Sequence, residues 1–143
     1  MADYTMRTTV PRPYEETVAA VRAELVEAGF GVLTEIDLRA TLKAKLDVDV
    51  APQVILGACR PQLAHQALQV EPSIAAMLPC NVVVRGIDDT TTVVEAFDPD
   101  VMTSFAGDGE AGEALRSVAT DARARLTAVL TALATLDAVE VGA

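Results

Sequence analysis

Apolar residues recur at every third or fourth position in several stretches of the chain, and this spacing predicts helices. The first predicted helix follows Pro13 and ends at Gly29. Proline fits the first helical turn, and glycine accepts the left-handed backbone conformation that ends many helices. Three further helices are predicted: residues 38–46, capped by Asp37; residues 61–71, begun by Pro61; and about 25 residues with an apolar stripe from Leu115 to Leu136.

Strand patterns alternate with these helices. Residues 4–10 and 31–37 alternate in polarity, and in the second stretch Val32, Thr34 and Ile36 are predicted to share one face. Residues 54–59 form a continuous apolar run, which is typical of a strand covered on both faces.

Gly57, inside that run, would let another backbone or side chain approach closely. Residues 80–85 and 91–97 flank Gly86–Asp89 and predict a hairpin. The order of these elements predicts an α+β fold, with a mixed or antiparallel sheet backed by the long C-terminal helix.

The length of 143 residues fits one domain, with a predicted core at residues 4–136 and a short flexible tail at residues 137–143. Hydrophobic residues make up 51% of the chain, which excludes intrinsic disorder. The net charge of −10 marks an acidic protein and argues against nucleic acid as a partner. The sequence shows neither a secretory signal nor a membrane-spanning stretch, so we predict a cytoplasmic protein without a membrane partner.

Several blocks of residues together resemble the bacterial and archaeal domain of unknown function 302 family. The resemblance covers roughly residues 4–130 and is carried by the following blocks: Gly29–Asp37, Ala40–Lys43, Ile55–Cys59, Ala67-Leu68 and Leu78–Val84. It implies a TBP-like α+β fold with a curved sheet, usually assembled as a homodimer, and it implies no reaction. Arg60 departs from the family pattern, in which asparagine is more frequent between the cysteine and the proline.

Cys59 is the sharpest candidate for chemistry. It precedes Arg60 and a helix begun by Pro61, and a thiol beside a cation at a helix N-terminus can have a lowered pKa and a larger thiolate fraction. The alternative is that Cys59 packs as a small buried hydrophobe. If any residue is catalytic, we expect it to be Cys59.

Cys80 and His65 are the other residues of this region that could take part in chemistry. If their strands pair, Cys80 and Cys59 could form a redox pair, although Cys80 can equally be a packed core residue. His65 could add a nitrogen ligand to the two sulfurs, but a single helix histidine is more often at the surface. We therefore predict neither a metal site nor a cofactor.

Residues 38–70 carry four cations and two carboxylates, a local charge of +2 on an acidic chain. Arg39, Lys43 and Arg60 could attract a small anionic ligand, or the two helix residues could simply be solvated. Glu35 is either partly buried beside the helices, with a raised pKa unless a cation pairs with it, or exposed at a sheet edge.

The sequence lacks a complete catalytic set, so we lean towards a protein that is not an enzyme. The leading hypothesis is a homodimeric ligand-binding or interaction module with a site near Cys59 and His65. Its predicted binding residues are Glu35, Arg39, Lys43, Cys59, Arg60, His65 and Cys80. The alternative is an enzyme that uses Cys59 in thiol redox or nucleophilic chemistry.

Overall fold

The computed structural model describes residues 3–136. Its strands are β1 (Thr5–Val10), β2 (Gly31–Asp37), β3 (Gln53–Cys59), β4 (Cys80–Asp88) and β5 (Thr91–Phe97). Its α-helices are α1 (Tyr14–Glu27), α2 (Leu38–Leu46), α3 (Pro61–Val70) and α4 (Glu110–Ala134). Two 3₁₀ helices, Pro72–Met77 and Pro99–Phe105, complete the fold. The tail predicted at residues 137–143 lies outside the described residues.

The five strands form one antiparallel sheet in the order β1-β5-β4-β3-β2, which confirms the predicted α+β class. One face of this sheet is covered by α1 and by the C-terminal half of α4. The main core lies between them, and its buried side chains include Val21, Leu25, Leu56, Val84, Leu126 and Leu133. None of the described helices is long and apolar enough to cross a membrane.

A second hydrophobic cluster lies beside the sheet. Ala67 of α3 and Ile74 of the first 3₁₀ helix pack there with Met102 of the second. The N-terminal half of α4 contributes Leu115 and Val118. The long helix therefore joins both clusters, and its C-terminal half backs the sheet as predicted.

The alternation predicted for β2 is wrong in one respect. The pairing of β2 with β3 has an irregularity between Val32 and Thr34, so Val32 lies opposite Ala58 while Thr34 lies opposite Gly57. A bulge of this kind moves the following residues to the other face. Val32 consequently packs against the main core, and Thr34 and Ile36 lie on the opposite face.

That opposite face carries no α1 or α4 residues and crosses all five strands. A row of directly opposed residues runs through it: Arg7, Glu95, Val83, Ile55 and Ile36. We call this the open face. The expectation that β3 is covered on both sides is wrong for Ile55, which is only half-buried because no helix of the main core covers that face.

The close approach of other side chains that was predicted at Gly57 is confirmed. A Cβ at position 57 would lie 2.8 Å from Pro79 Cγ and closer still to Thr34 Oγ1. The glycine therefore lets the side chains of two neighbouring segments meet over β3.

Candidate functional site

The end of β3, the start of β4, and the helices α3 and α4 enclose a narrow crevice. Cys59 and Cys80 both border it, because Ala58 lies opposite Cys80 in the pairing of β3 with β4. The crevice has a volume of about 20 Å³. That volume is about the size of one water molecule, so the crevice holds no organic ligand in its interior.

Both thiols are free, and neither is activated. Burial raises the pKa of the Cys59 thiol. Burial, together with the nearby Cys59, raises the pKa of Cys80 to about 11. These directions are opposite to the lowered pKa that a nucleophilic Cys59 requires.

A cluster of three charged side chains lies at the mouth of the crevice. Arg60 Nη1 is 3.3 Å from each carboxylate oxygen of Asp121, and Arg125 Nε donates to the same two oxygens at 3.1 and 3.2 Å. Each of these side chains is roughly one-third exposed. Two guanidinium groups share one carboxylate, so the cluster has a net charge of +1.

Arg60 pairs with Asp121, and burial is what sets the direction of the Cys59 pKa. Arg60 is the residue that precedes the first turn of α3, and its side chain makes no capping hydrogen bond. The N-terminus of α3 therefore adds its positive partial charge to that of the arginine cluster.

Arg125 also stabilises the turn that connects α1 to β2. Its Nη1 donates a 2.6 Å hydrogen bond to the carbonyl oxygen of Ala28. Gly29 has a φ of +89°, and a Cβ there would lie 2.9 Å from Arg125 Nη1. The predicted helix stop at Gly29 is thus also the position that admits the arginine.

The structure separates the remaining predicted site residues from this cluster. Strand β2 runs from Gly31, opposite Cys59, to Asp37, opposite Val54. The six residue steps from Gly31 to Asp37 span about 20 Å along β2. Arg39 and Lys43 follow Asp37 and therefore lie beyond the other end of the strand.

Glu35, Lys43 and Arg39 have ordinary surroundings. Glu35 is at the sheet edge and exposed, and its Oε1 lies 2.6 Å from Arg22 Nη2. Lys43 pairs with Asp47 and Asp49 at 3.0 and 3.3 Å. Arg39 is exposed and has no ion pair within residues 3–136.

His65 is exposed on α3, whereas Cys80 is buried. Among the described residues, no group of three or more His, Cys, Asp or Glu side chains is arranged to hold a metal ion.

Sequence reasoning missed Asp121 and Arg125. Their spacing of four residues on one helix is a usual sign of an acid–base pair, and this signal was present. The contact with Arg60 had no such signal, because 61 residues separate it from Asp121 along the chain.

The open face has its own charged cluster, which was also not foreseen. Glu95 accepts hydrogen bonds from Thr5 at 2.7 Å and from Arg85 at 3.2 Å, and Arg7 lies 3.9 Å away. These partners hold the pKa of Glu95 below its usual value. All four side chains belong to β1, β4 and β5, so the cluster fixes the register of these strands.

Comparison with known proteins agrees with the fold. No curated protein matches the chain. A crystal structure of a conserved DUF302 protein from Bacillus stearothermophilus, described as uncharacterized, is similar at 30% sequence identity with a TM-score of 0.77. The match covers 91% of this chain and 98% of that one. The family model for the domain of unknown function DUF302 matches residues 6–133, and the chain therefore belongs to the DUF302 family.

Proposed function

We propose that the protein is a homodimeric binding module that holds a small anion, a carboxylate or a phosphate, at the mouth of the crevice beside Arg60. The observation that carries this proposal is the shared carboxylate. Asp121 neutralises only one of its two arginine partners, so one positive charge remains at the protein surface. On a chain of net charge −10, such a position attracts anions selectively.

The backbone supports the same ligand class. Helix α3 begins at Pro61, directly after Arg60, without a side-chain cap. Uncapped N–H groups of a first helical turn favour carboxylate and phosphate oxygens. Guanidinium groups bind the same oxygens, often through two parallel hydrogen bonds. The guanidinium group of Arg60 and the N–H groups of the first turn of α3 therefore favour the same class of ligand, and they belong to neighbouring residues.

The size of the crevice limits what can bind. A volume of about 20 Å³ admits no cofactor, so the ligand would lie across the mouth and contact Arg60 from solvent. The raised pKa values of Cys59 and Cys80 favour binding over thiol chemistry at this site. Thiol redox or nucleophilic catalysis therefore remains the less favoured alternative.

Homodimer formation is the second part of the proposal. The helices of the main core cover one sheet face only, and several large apolar side chains are exposed elsewhere. Exposed apolar groups that would otherwise contact water are commonly covered by a partner chain.

Titration calorimetry with inorganic phosphate and with acetate at low salt tests the anion site. We expect Arg60→Gln to weaken phosphate binding about tenfold or more, since a charge-assisted contact is lost. Asp121→Asn should strengthen binding, because it removes the competing carboxylate. Arg123→Gln is the matched control, since Arg123 lies on the same helix but pairs with Asp98 and Asp100.

Two results would contradict the anion site. One is the absence of binding by the wild-type protein to either anion. The other is an equal loss in the Arg60→Gln and Arg123→Gln variants, which would indicate a general effect of charge. Thermal unfolding of each variant shows whether it has kept its fold.

A further inference from the structure

Residues 31–50 comprise the bulged strand β2, helix α2 and the four residues that follow it, yet none of these twenty residues is buried. Helix α2 has nine residues and no buried side chain, whereas each of the other three α-helices buries at least two. Helices this short are marginal in water and usually depend on packing of one face. Leu38, Thr41 and Leu42 of α2 are half-buried against the sheet, so the helix is covered only in part.

Large apolar side chains are concentrated in the same segment. Of the nine that are exposed among residues 3–136, four lie here: Leu33, Ile36, Leu46 and Val48. Leu33 is 60% exposed and sits at the bulge, without a paired residue on β3. Concentrated apolar exposure on a folded domain is typical of an interaction surface.

Among residues 3–136, strand β2 is one edge of the sheet and pairs with β3. The other edge strand, β1, exposes the polar residues Arg7 and Thr9, which discourage association. Strand β2 exposes polar residues too, but Leu33 and Ile36 are exposed among them. Of the two edge strands, β2 is thus the one with large exposed apolar side chains.

We propose that residues 31–50, the β2–α2 surface, form the interface between two copies of this chain. This inference rests on the homodimer of the proposed function and names the surface that forms it. A two-fold arrangement brings the same surface of each copy together, so every contact is made twice. Fourteen of the twenty residues are exposed, which is about half to two-thirds of the 20–30 residues that one partner contributes to a standard interface.

Charge explains why a second copy fits this surface. The segment carries three cations and four carboxylates, a net charge of −1 in a chain of −10. Two acidic chains repel each other least where their surfaces are nearly neutral. Arg39 and Lys45 make no ion pair within residues 3–136, so both cations are available to carboxylates of the facing copy.

Sedimentation equilibrium of the full chain over a range of concentrations tests the interface. We expect Leu33→Asp and Leu46→Glu each to raise the dimer dissociation constant at least about tenfold. Phe105→Asp is the matched control: Phe105 is 72% exposed on the second 3₁₀ helix, outside the segment, and its variant should dimerise like the wild type. Val83→Lys introduces a charge on the open face and should also leave the dimer intact.

The outcomes separate this inference from the proposed function. Dissociation by Val83→Lys, with Leu33→Asp and Leu46→Glu still dimeric, would overturn the β2–α2 interface and leave the homodimer standing. Equal dissociation by Phe105→Asp would also overturn the assignment. A wild-type chain that is monomeric at every concentration would overturn the homodimer itself, while the phosphate titration would still test the anion site.

Discussion

The hydroxyl of Thr5 donates a 2.7 Å hydrogen bond to Oε2 of Glu95 and thereby ties the edge strand β1 to β5. The Glu95 side chain is only 15% exposed. The Thr5 hydrogen bond is the largest contribution to the lowered pKa of this carboxyl, followed by the two nearby arginines. The charged form of Glu95 is therefore part of what stabilises the folded sheet.

Replacing Thr5 with valine keeps the shape of the side chain and removes the hydroxyl. We expect Thr5→Val to lower the free energy of unfolding at pH 7 by about 1.5–3 kcal/mol, a usual loss for a hydrogen bond to a charged group. Urea unfolding measures this change. Thr9→Val, at an exposed position of the same strand, is the control.

The same pair predicts a pH dependence. Because the pKa of Glu95 is lower in the folded protein than its ordinary value of 4.5, its stabilising contribution is complete above about pH 4.5. The contribution is lost as the pH falls through the lower, folded-state pKa. The difference between wild type and Thr5→Val should therefore shrink in acid. An undiminished difference at pH 3 would show that Thr5 acts through packing instead.

Gly57 gives a prediction about packing. A methyl group at this position would press on Pro79 and Thr34, so Gly57→Ala should destabilise the protein by about 1–3 kcal/mol, as overpacking does. Gly31→Ala is the control, because the nearest atom to its added Cβ is 3.8 Å away. Thermal unfolding measures the stability of the Gly57→Ala and Gly31→Ala variants for this comparison.

Adding Thr34→Ala should recover part of the stability that Gly57→Ala loses, because one of the two close contacts disappears. A Gly57→Ala protein as stable as Gly31→Ala would contradict this account of β3.

The cysteines should react slowly. With a pKa of about 11, roughly one Cys80 thiol in ten thousand is ionised at pH 7. Iodoacetamide at pH 7 should modify Cys59 more slowly than free cysteine and Cys80 only after unfolding. Mass spectrometry of Cys59→Ser and Cys80→Ser assigns each modification. Rapid modification of Cys59 between pH 6 and 7 would instead favour the thiol enzyme.

Local signals allowed most elements to be predicted from the sequence. The bounds of β2 and α2 were predicted because Asp37 caps the helix, accepting a 2.9 Å hydrogen bond from the Ala40 amide. The bulge after Val32 could not be predicted, because it depends on how β2 pairs with β3. Membership of the DUF302 family followed from several linked blocks and is confirmed over residues 6–133.

The candidate site was less predictable for the same reason. Cys59 and Arg60 were correctly placed together, but the direction of the thiol pKa is set by burial, which depends on the packing of α3 and α4 around the end of β3. Glu35, Arg39 and Lys43 are near Cys59 in sequence order, but the length of β2 carries them away from it.

The position of β1 in the sheet has a consequence for synthesis of the chain. Thr5 and Glu95 are 90 residues apart, so the first strand to be made pairs with the last. Contacts at such separation form slowly and only after the intervening chain exists. The N-terminal strand therefore leaves the ribosome long before its neighbour and waits unpaired while β2, β3 and β4 are translated. Closure of the sheet follows the emergence of Phe97, so β1 joins the sheet only after the other four strands have been made.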